Sequence, residues 1–390
     1  MIQTIASVEE IPGLYGSVRM EEDVLQEIWA VAAFRQDGLF TQCGKRVAIR
    51  RRGNWNRAEE GPDFKQSRLL IDGIESHGDV EIHFYPQDWN AHGHHKDPNY
   101  NQVILHVCLF PHAIPGKEFR TESGKTIPSL VLLPHLLQSL EEFAEERALA
   151  KLAGMGEIEE ESNELACLVK EKNVEYARER WFQKLAFAKN RISRLGWEDA
   201  CHQWFLEVLG YRRNRVPMAR IATQYSINEW RGGLNPDKLF ENESDWKLRG
   251  TRPANHPAVR LSQYAELVRK RPNWPALLQE LEVPPLTDPE GVDRKSLGLI
   301  GLRNNWKENI LGEILGGTRV DTLWIDACLP LWAAEKGTDP FATWFHWQSG
   351  DFPNRLIKQA KAYGLIGTPG NVSCNGILQG LLGFCLDRTD

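Results

Sequence analysis

No two of the seven cysteines form a CxxC pair: Cys43, Cys108, Cys167, Cys201, Cys328, Cys374 and Cys385 are dispersed and odd in number. This excludes a disulfide framework and offers no zinc knuckle, so most of them read as small buried hydrophobes. No apolar run approaches the roughly 20 residues of a membrane span. The opening segment MIQTIASVEEIPG has no basic stretch leading into an apolar one, so the expectation is a cytoplasmic protein with no membrane partner. Fixed-period repeats and low-complexity tracts are absent, which sets aside solenoids and disordered tails. Positive charge is not in excess either: a net charge of -6 does not suit a chain coated as a whole for nucleic acid.

What is present is ordinary in bulk and uneven in detail. A length of 390 residues suits two or three domains with real cores, and 14 tryptophans supply large amphipathic side chains that need partners. Seven of the eleven histidines (His77, His83, His92, His94, His95, His106 and His112) fall within 36 residues, interleaved with carboxylates. Between Lys45 and Arg57 the chain carries Lys45, Arg46, Arg50, Arg51, Arg52 and Arg57 without one acidic residue, beside Trp55. Arginines next to an indole suit phosphate contacts and base stacking, so Arg50, Arg51, Arg52, Trp55 and Arg57 are candidate nucleic-acid-binding residues. A solvated edge strand guarded by basic residues accounts for the same pattern. Arg212, Arg213, Arg215 and Arg220 form a second basic group, expected at a helix terminus that favours cations.

Residues 21 to 34 (EEDVLQEIWAVAAF) place Val24, Leu25, Ile28, Trp29, Ala32 and Ala33 at helical spacing behind an acidic first turn. Strands are expected over 46 to 51, 68 to 74, 78 to 85 and 103 to 110, with Asp72-Gly73 as the turn between two of them. The last of these, VILHVCLF, is nearly continuous in apolar residues, as for a strand buried on both faces near the centre of its sheet. From Pro134 the pattern turns helical, with helices expected over 173 to 194, 197 to 209, 258 to 270 and 373 to 386. The acidic run GEIEEESNE (156 to 164) reads as a linker or an exposed helix start. The fold class expected is α+β: residues 1 to 150 form a mixed sheet flanked by helices, and residues 151 to 390 a mostly α-helical domain.

In GDVEIHFY, strand alternation puts Asp79, Glu81 and His83 on one face and Val80, Ile82 and Phe84 on the other. Gly61-Pro62 delivers Asp63 at the entrance to the preceding strand, where it can lie beside Glu81. Two adjacent carboxylates repel unless a cation sits between them, and a hard divalent ion is the usual solution. The loop from 86 to 101 adds His92, His94, His95, Asp97 and Tyr100 as supporting residues. Neutral imidazoles among them make a zinc site from His83, His92, His94 or Asp97 an alternative. Caps and turns account for the same side chains without any ligand. His106, alone in an apolar strand, reads as a core histidine or as a support behind the ligands. Further along, Arg252, Asn255, His256 and Arg260 sit in a loop confined by two prolines and read as a brace between helices or as donors to phosphate. Trp324, Asp326 and Trp332 read as buried packing.

Asp63 within Gly-Pro-Asp, followed 18 positions later by Glu81-x-His83 in a strand, resembles the core of the PD-(D/E)XK nuclease superfamily. The resemblance implies that Asp63 and Glu81 hold Mg²⁺ or Mn²⁺, with His83 where a water-activating lysine is expected and Lys65 as a candidate substitute for it. It departs from that pattern in having an irregular polar stretch where a helix should precede the next strand. The whole chain is also similar to an uncharacterised bacterial family, domain of unknown function twenty-eight fifty-one. The matching stretches are GPDF, GDVEIH, DWNAHGHHKDPNY, VILHV, TRPANHPAVRL and RVDTLWIDACLP. The end NGILQGLLGFCLDRTD keeps Cys385 without the closely spaced terminal cysteines associated with such proteins. The expectation drawn from residues and resemblance together is a Mg²⁺- or Mn²⁺-dependent phosphodiesterase acting on DNA or RNA, with catalytic Asp63, Glu81 and His83. The alternatives are a non-catalytic nucleic-acid-binding or scaffold protein on the same fold, and a zinc-dependent hydrolase built on the histidine loop.

Overall fold

The structure, a computed structural model, describes residues 22–57, 59–112, 117–155, 159–367 and 373–387. The architecture is mixed α+β, with a mixed sheet in the N-terminal region and a mostly helical C-terminal region. Residues 19–138 form one compact unit, and the second begins at Ser139. The sequence reading places this change near residue 150. The acidic run begins outside the described residues, and of its two readings, linker or helix start, the second is found from Glu159, where a long helix begins.

The first unit opens with α1 (Glu22–Val31), which buries Val24, Leu25, Ile28 and Trp29 along one stripe. It stops short of the expected residue 34 because Ala32 takes a left-handed conformation, φ 57°. Five strands follow: β1 (Leu39–Phe40), β2 (Arg46–Arg51), β3 (Asn54–Trp55), β4 (Phe64–Ile71) and β5 (Ile74–His83). β4 and β5 form a hairpin across Asp72 and Gly73, whose φ angles of 54° and 81° are those of the tight turn that matches strand twist. β4 starts four residues before the expected 68. Its register with β5 is irregular between Phe64 and Ser67, and Gln66 stands at φ 62°, a bulge that breaks the alternation a strand shows in sequence.

β6 (Val103–Cys108) is buried at every residue and lies parallel to both β5 and β9 (Ser129–Val131), the internal position its apolar run suggests. Between them in sequence, β7 (Phe119–Arg120) and β8 (Thr126–Ile127) form a separate ribbon. The sheet order is β1-β2-β4-β5-β6-β9, with β3 paired to β4. A parallel β5–β6 pair requires a crossover. The polar stretch at 84–102 is that crossover, folded into α2 (Asp88–Ala91) and two 3₁₀ turns at 94–96 and 98–100. β1 covers only Arg46 and Val47 of β2, so the part of β2 that carries Arg50 and Arg51 pairs with β4 alone and keeps the open edge considered above.

The helical unit contains α3 (Leu140–Met155), α4 (Glu159–Leu195), α5 (Trp197–Leu209), α6 (Tyr211–Gln224) and shorter helices after them. Its core is tryptophan-rich: Trp181, Trp204, Trp274, Trp306, Trp324, Trp344 and Trp347 are buried, with several indole N–H groups donating to backbone carbonyls. Trp324 and Trp332 are packing residues as expected, but Asp326 is ion-paired to Lys184 at 3.0 Å and to Arg215 at 3.3 Å. Arg212, Arg213 and Arg215 lie in the first half of α6 and Arg220 in its second, so the group is not gathered at a cation-favouring C-terminus; Arg215 pairs with Asp326 and Arg220 with Asp245 at 2.7 Å. The loop at 252–257 braces itself, Arg260 donating to Asn255 Oδ1 at 2.6 Å.

Candidate functional site

The site forms where β5 ends and the crossover begins. Antiparallel pairing of β4 with β5 brings Asp63 beside Glu81, and the Asp63 backbone N–H donates to Glu81 Oε2 at 3.0 Å. Asp63 Oδ2 accepts from the Ile82 N–H at 2.9 Å, and its Oδ1 from Gln26 Nε2 at 2.7 Å. Gln26 is itself held by the indole N–H of Trp55 at 3.2 Å. The carboxylate pair expected from sequence therefore exists, fixed from both strands and from α1.

The crossover then folds its histidines onto the same place. His83 Nε2 lies 3.2 Å from His92 Nδ1 and 3.2 Å from His94 Nε2. Glu81 Oε1 is 3.5 Å from His83 Nε2 and 3.3 Å from His94 Nε2. The three imidazole nitrogens all lie within 4.8 Å of one another. Gly93, at φ 80°, makes the reversal that lets His92 and His94 face one point; a side chain at that position would strain it. The His94 ring stacks on Tyr100 at 3.8 Å between centroids and meets Trp89 edge-on at 5.4 Å. Trp89 is fully buried and anchored through its N–H to Arg120 O. Behind His83, its Nδ1 lies 2.8 Å from Nε2 of the fully buried His106.

Burial dominates the electrostatics. The Asp63 and Glu81 carboxyls are both raised, first by burial and then by neighbouring carboxylates: Glu81 acts on Asp63, and Glu22 on both. Burial followed by the surrounding imidazoles pulls His83 down to about 2, and burial with His94 pulls His106 down to about 3. Burial lowers His94 as well, against the raising effects of Asp97 and Glu22. The acids thus resist ionising and the imidazoles resist protonation, the state in which an imidazole offers its lone pair to a cation.

Not every expected residue joins the cluster. His95 is not among the three converging imidazoles, Asp97 caps the turn at 98–100 by accepting from the Asn99 N–H at 2.9 Å, and Lys65 pairs with Glu59 at 3.0 Å rather than with the carboxylates. Tyr100 serves the site as the plate under His94, its hydroxyl pKa raised by burial and then by Glu81 and Asp63. In the basic cluster, Trp55 is committed to Gln26 and stacks on Phe64, and Arg57 lies over its ring at 3.8 Å. Arg52 donates to Ala30 O, whereas Arg50 and Arg51 remain exposed. Glu22 and Gln26 escape the sequence reading: one turn apart on α1, they look like a helix's acidic start and polar flank. Yet Glu22 Oε1 accepts from the Phe84 N–H at 3.3 Å, and its own carboxyl is raised by burial.

The family model described as Protein of unknown function (DUF2851) matches residues 22–236. No curated protein and no solved structure matches the chain.

Proposed function

Because the chain belongs to the family described as Protein of unknown function (DUF2851), which carries no activity to transfer, we propose from geometry alone that its N-terminal unit is a metal-dependent hydrolase. The observation that carries this reading is the convergence of three imidazole nitrogens, with a carboxylate oxygen beside two of them. In a tetrahedral site with bonds of about 2.0–2.1 Å, neighbouring ligand atoms stand about 3.3–3.4 Å apart. His83 Nε2 stands 3.2 Å from both His92 Nδ1 and His94 Nε2, the three nitrogens lie within 4.8 Å of one another, and Glu81 Oε1 is 3.5 Å from His83 Nε2 and 3.3 Å from His94 Nε2. An imidazole-rich set favours Zn²⁺ or another transition ion over Mg²⁺, which prefers oxygen donors and retained waters.

A divalent ion held by these residues would supply Lewis acidity, favouring ionisation of the attacking water and polarising a phosphoryl oxygen. The protein's own groups divide the remaining work. His106 orients the His83 ring from behind, so that Nδ1–H donates backward and Nε2 presents its lone pair forward. Asp63, beside Glu81 and held by Gln26, is raised by burial, and would accept a proton from attacking water once a bound cation favours its ionised form. This moves His83 from the role of base to that of ligand, since both of its ring nitrogens are engaged. A phosphodiester substrate is supported by the rest of the β5 face. His77 is exposed on it with Arg68 of β4 beside it, Asp79 is half-buried and Glu81 and His83 are buried, and a cleft of about 370 Å³ with Arg51, Arg68 and His77 on its walls borders that face.

The test is metal content by mass spectrometry on the wild type and on His92→Ala and Glu81→Gln variants, with a phosphodiesterase assay in parallel. Near-stoichiometric transition metal in the wild type, at least tenfold less in either variant, and hydrolysis that follows the metal are expected. A wild type that takes up no divalent ion overturns the proposal.

A further inference from the structure

Strand registry sets three nitrogen-bearing side chains in a row across the sheet. Arg51 of β2 is the direct partner of Arg68 on β4, and Arg68 is the direct partner of His77 on β5. Direct partners share a face with their Cβ atoms about 4.5–5.5 Å apart, so the row runs across three strands. Like charges directly opposite one another work against pairing, and Arg51 and Arg68 stand so on an exposed face. Carboxylates do not close the row. Arg51 Nη2 donates to Asn54 Oδ1 at 2.7 Å, and Arg51 has no carboxylate partner among the described residues. Arg68 Nε and His77 Nε2 stand 3.6 and 3.5 Å from one oxygen, Glu75 Oε1, and all three of these side chains are more than half exposed. An exposed pair at such distances contributes little, so an incoming anion can replace it.

The row walls the cleft of about 370 Å³, whose lining sets these two guanidiniums against one carboxylate, Asp79. At its margin Glu75 and Lys125 offset each other; Lys125 is lowered by partial burial and raised by Asp79, which puts it within electrostatic reach of that carboxylate. With the imidazole left out of the sum, the cleft carries one positive charge. That matches the single negative charge of a phosphodiester linkage better than the roughly -1.5 to -2 of a terminal phosphate. Alternation along β5 continues the same face from His77 through Asp79 to Glu81 and His83. His77 and Glu81 are four residues apart, about 13 Å at the rise of a strand. At about 3.4 Å per nucleotide along a helical strand, that separation spans about four phosphates, and an extended strand covers it with fewer.

We propose that the row of Arg51, Arg68 and His77 holds a second phosphodiester of the substrate while the first lies at the histidine cluster, which makes the substrate a nucleic-acid strand and not an isolated small diester. Planar guanidiniums match the paired oxygens of such a linkage. For the first phosphodiester the proposal rests on the hydrolase reading above, whereas the row shares no residue with the cluster and can be tested without it.

Kinetics of the metal-loaded full chain on a single-stranded oligonucleotide and on bis(p-nitrophenyl) phosphate test it, in the wild type and in an Arg51→Gln, Arg68→Gln double variant. The variant should lose at least tenfold in kcat/KM on the oligonucleotide relative to the small diester, with the loss falling on KM. Its melting temperature should not drop, since a repulsive cross-strand pair has been removed. Binding of a fluorescent form of the oligonucleotide to the chelator-treated chain, followed by anisotropy, judges the row without turnover. There the variant should bind at least tenfold more weakly, and its plot of log affinity against log salt should be flatter by about 0.7, the share of one phosphate on a single strand. Equal relative kcat/KM, or equal oligonucleotide binding in wild type and variant, overturns the proposal. An equal loss on the small diester also overturns it, because the arginines would then act at the reacting phosphate. Failure of the wild type to hydrolyse either substrate sinks the hydrolase reading instead, and the anisotropy result then decides whether the row binds a strand.

Discussion

Single side chains decide what this site can hold, and His106 decides it without touching the centre. Its Nε2, 2.8 Å from His83 Nδ1, fixes which nitrogen of His83 faces His92 and His94. Partners of this kind are commonly worth 10–100-fold in metal affinity. His106→Phe should therefore lower transition-metal affinity by about 10–100-fold in a chelator competition assay, whereas His95→Ala, outside the cluster, should leave it unchanged. A different histidine governs acid behaviour in the helical unit. His202 is fully buried, with Nε2 2.8 Å from the Tyr225 carbonyl and Nδ1 2.6 Å from the Tyr264 hydroxyl, so Nε2–H donates and Nδ1 accepts. Burial holds its folded pKa below 6.5, hence the folded chain binds fewer protons than the unfolded one in the window beneath 6.5. The stability it contributes is complete above that value and is lost as pH falls, at no more than about 1.4 kcal/mol per pH unit. His202→Gln should flatten the difference between urea unfolding at pH 7.5 and pH 5; an unchanged slope would assign the acid sensitivity elsewhere.

At the scale of elements, the site is a product of the β5–β6 crossover. Its working part is His92-Gly93-His94, where a left-handed glycine turns the chain between two imidazoles. Gly93→Ala adds a Cβ at φ 80°, a strain of roughly 1–2 kcal/mol. The expected result is a protein that stays folded by circular dichroism but binds metal more weakly, because His92 and His94 no longer converge; wild-type affinity would show that the turn is not what positions them. Much of this was legible in the sequence. The alternation of GDVEIH put Glu81 and His83 on one face, Asp72-Gly73 marked the hairpin, and the apolar run of VILHVC marked a strand covered on both sides. What was not legible depended on registry between distant segments. The bulge at Gln66 disguised the start of β4, and the pairing of β9 with β6 leaves no local trace. Glu22 and Gln26 looked like the ordinary polar side of α1, and only the position of that helix against β5 makes them neighbours of Phe84 and Asp63.

At the scale of the whole molecule, the chain divides its charge problem between two compact units. In the N-terminal unit, buried carboxylates that resist ionising sit against imidazoles that resist protonation, and a divalent cation relieves the first while requiring the second. In the helical unit, buried cations and carboxylates already neutralise one another, as with Lys184 and Asp326, and the surrounding tryptophan core needs no metal. Metal should therefore stabilise one unit and not the other. A ligand at 100 times its dissociation constant adds about 2.7 kcal/mol to the state that binds it. Scanning calorimetry of the metal-loaded chain should resolve two transitions, and removing the ion with a chelator should lower one by several degrees while the other stays in place. His92→Ala should reproduce the chelated profile without any chelator. If both transitions moved together, the units would melt as one cooperative body, and the metal centre would be a determinant of the fold of the entire chain rather than of the sheet that carries it.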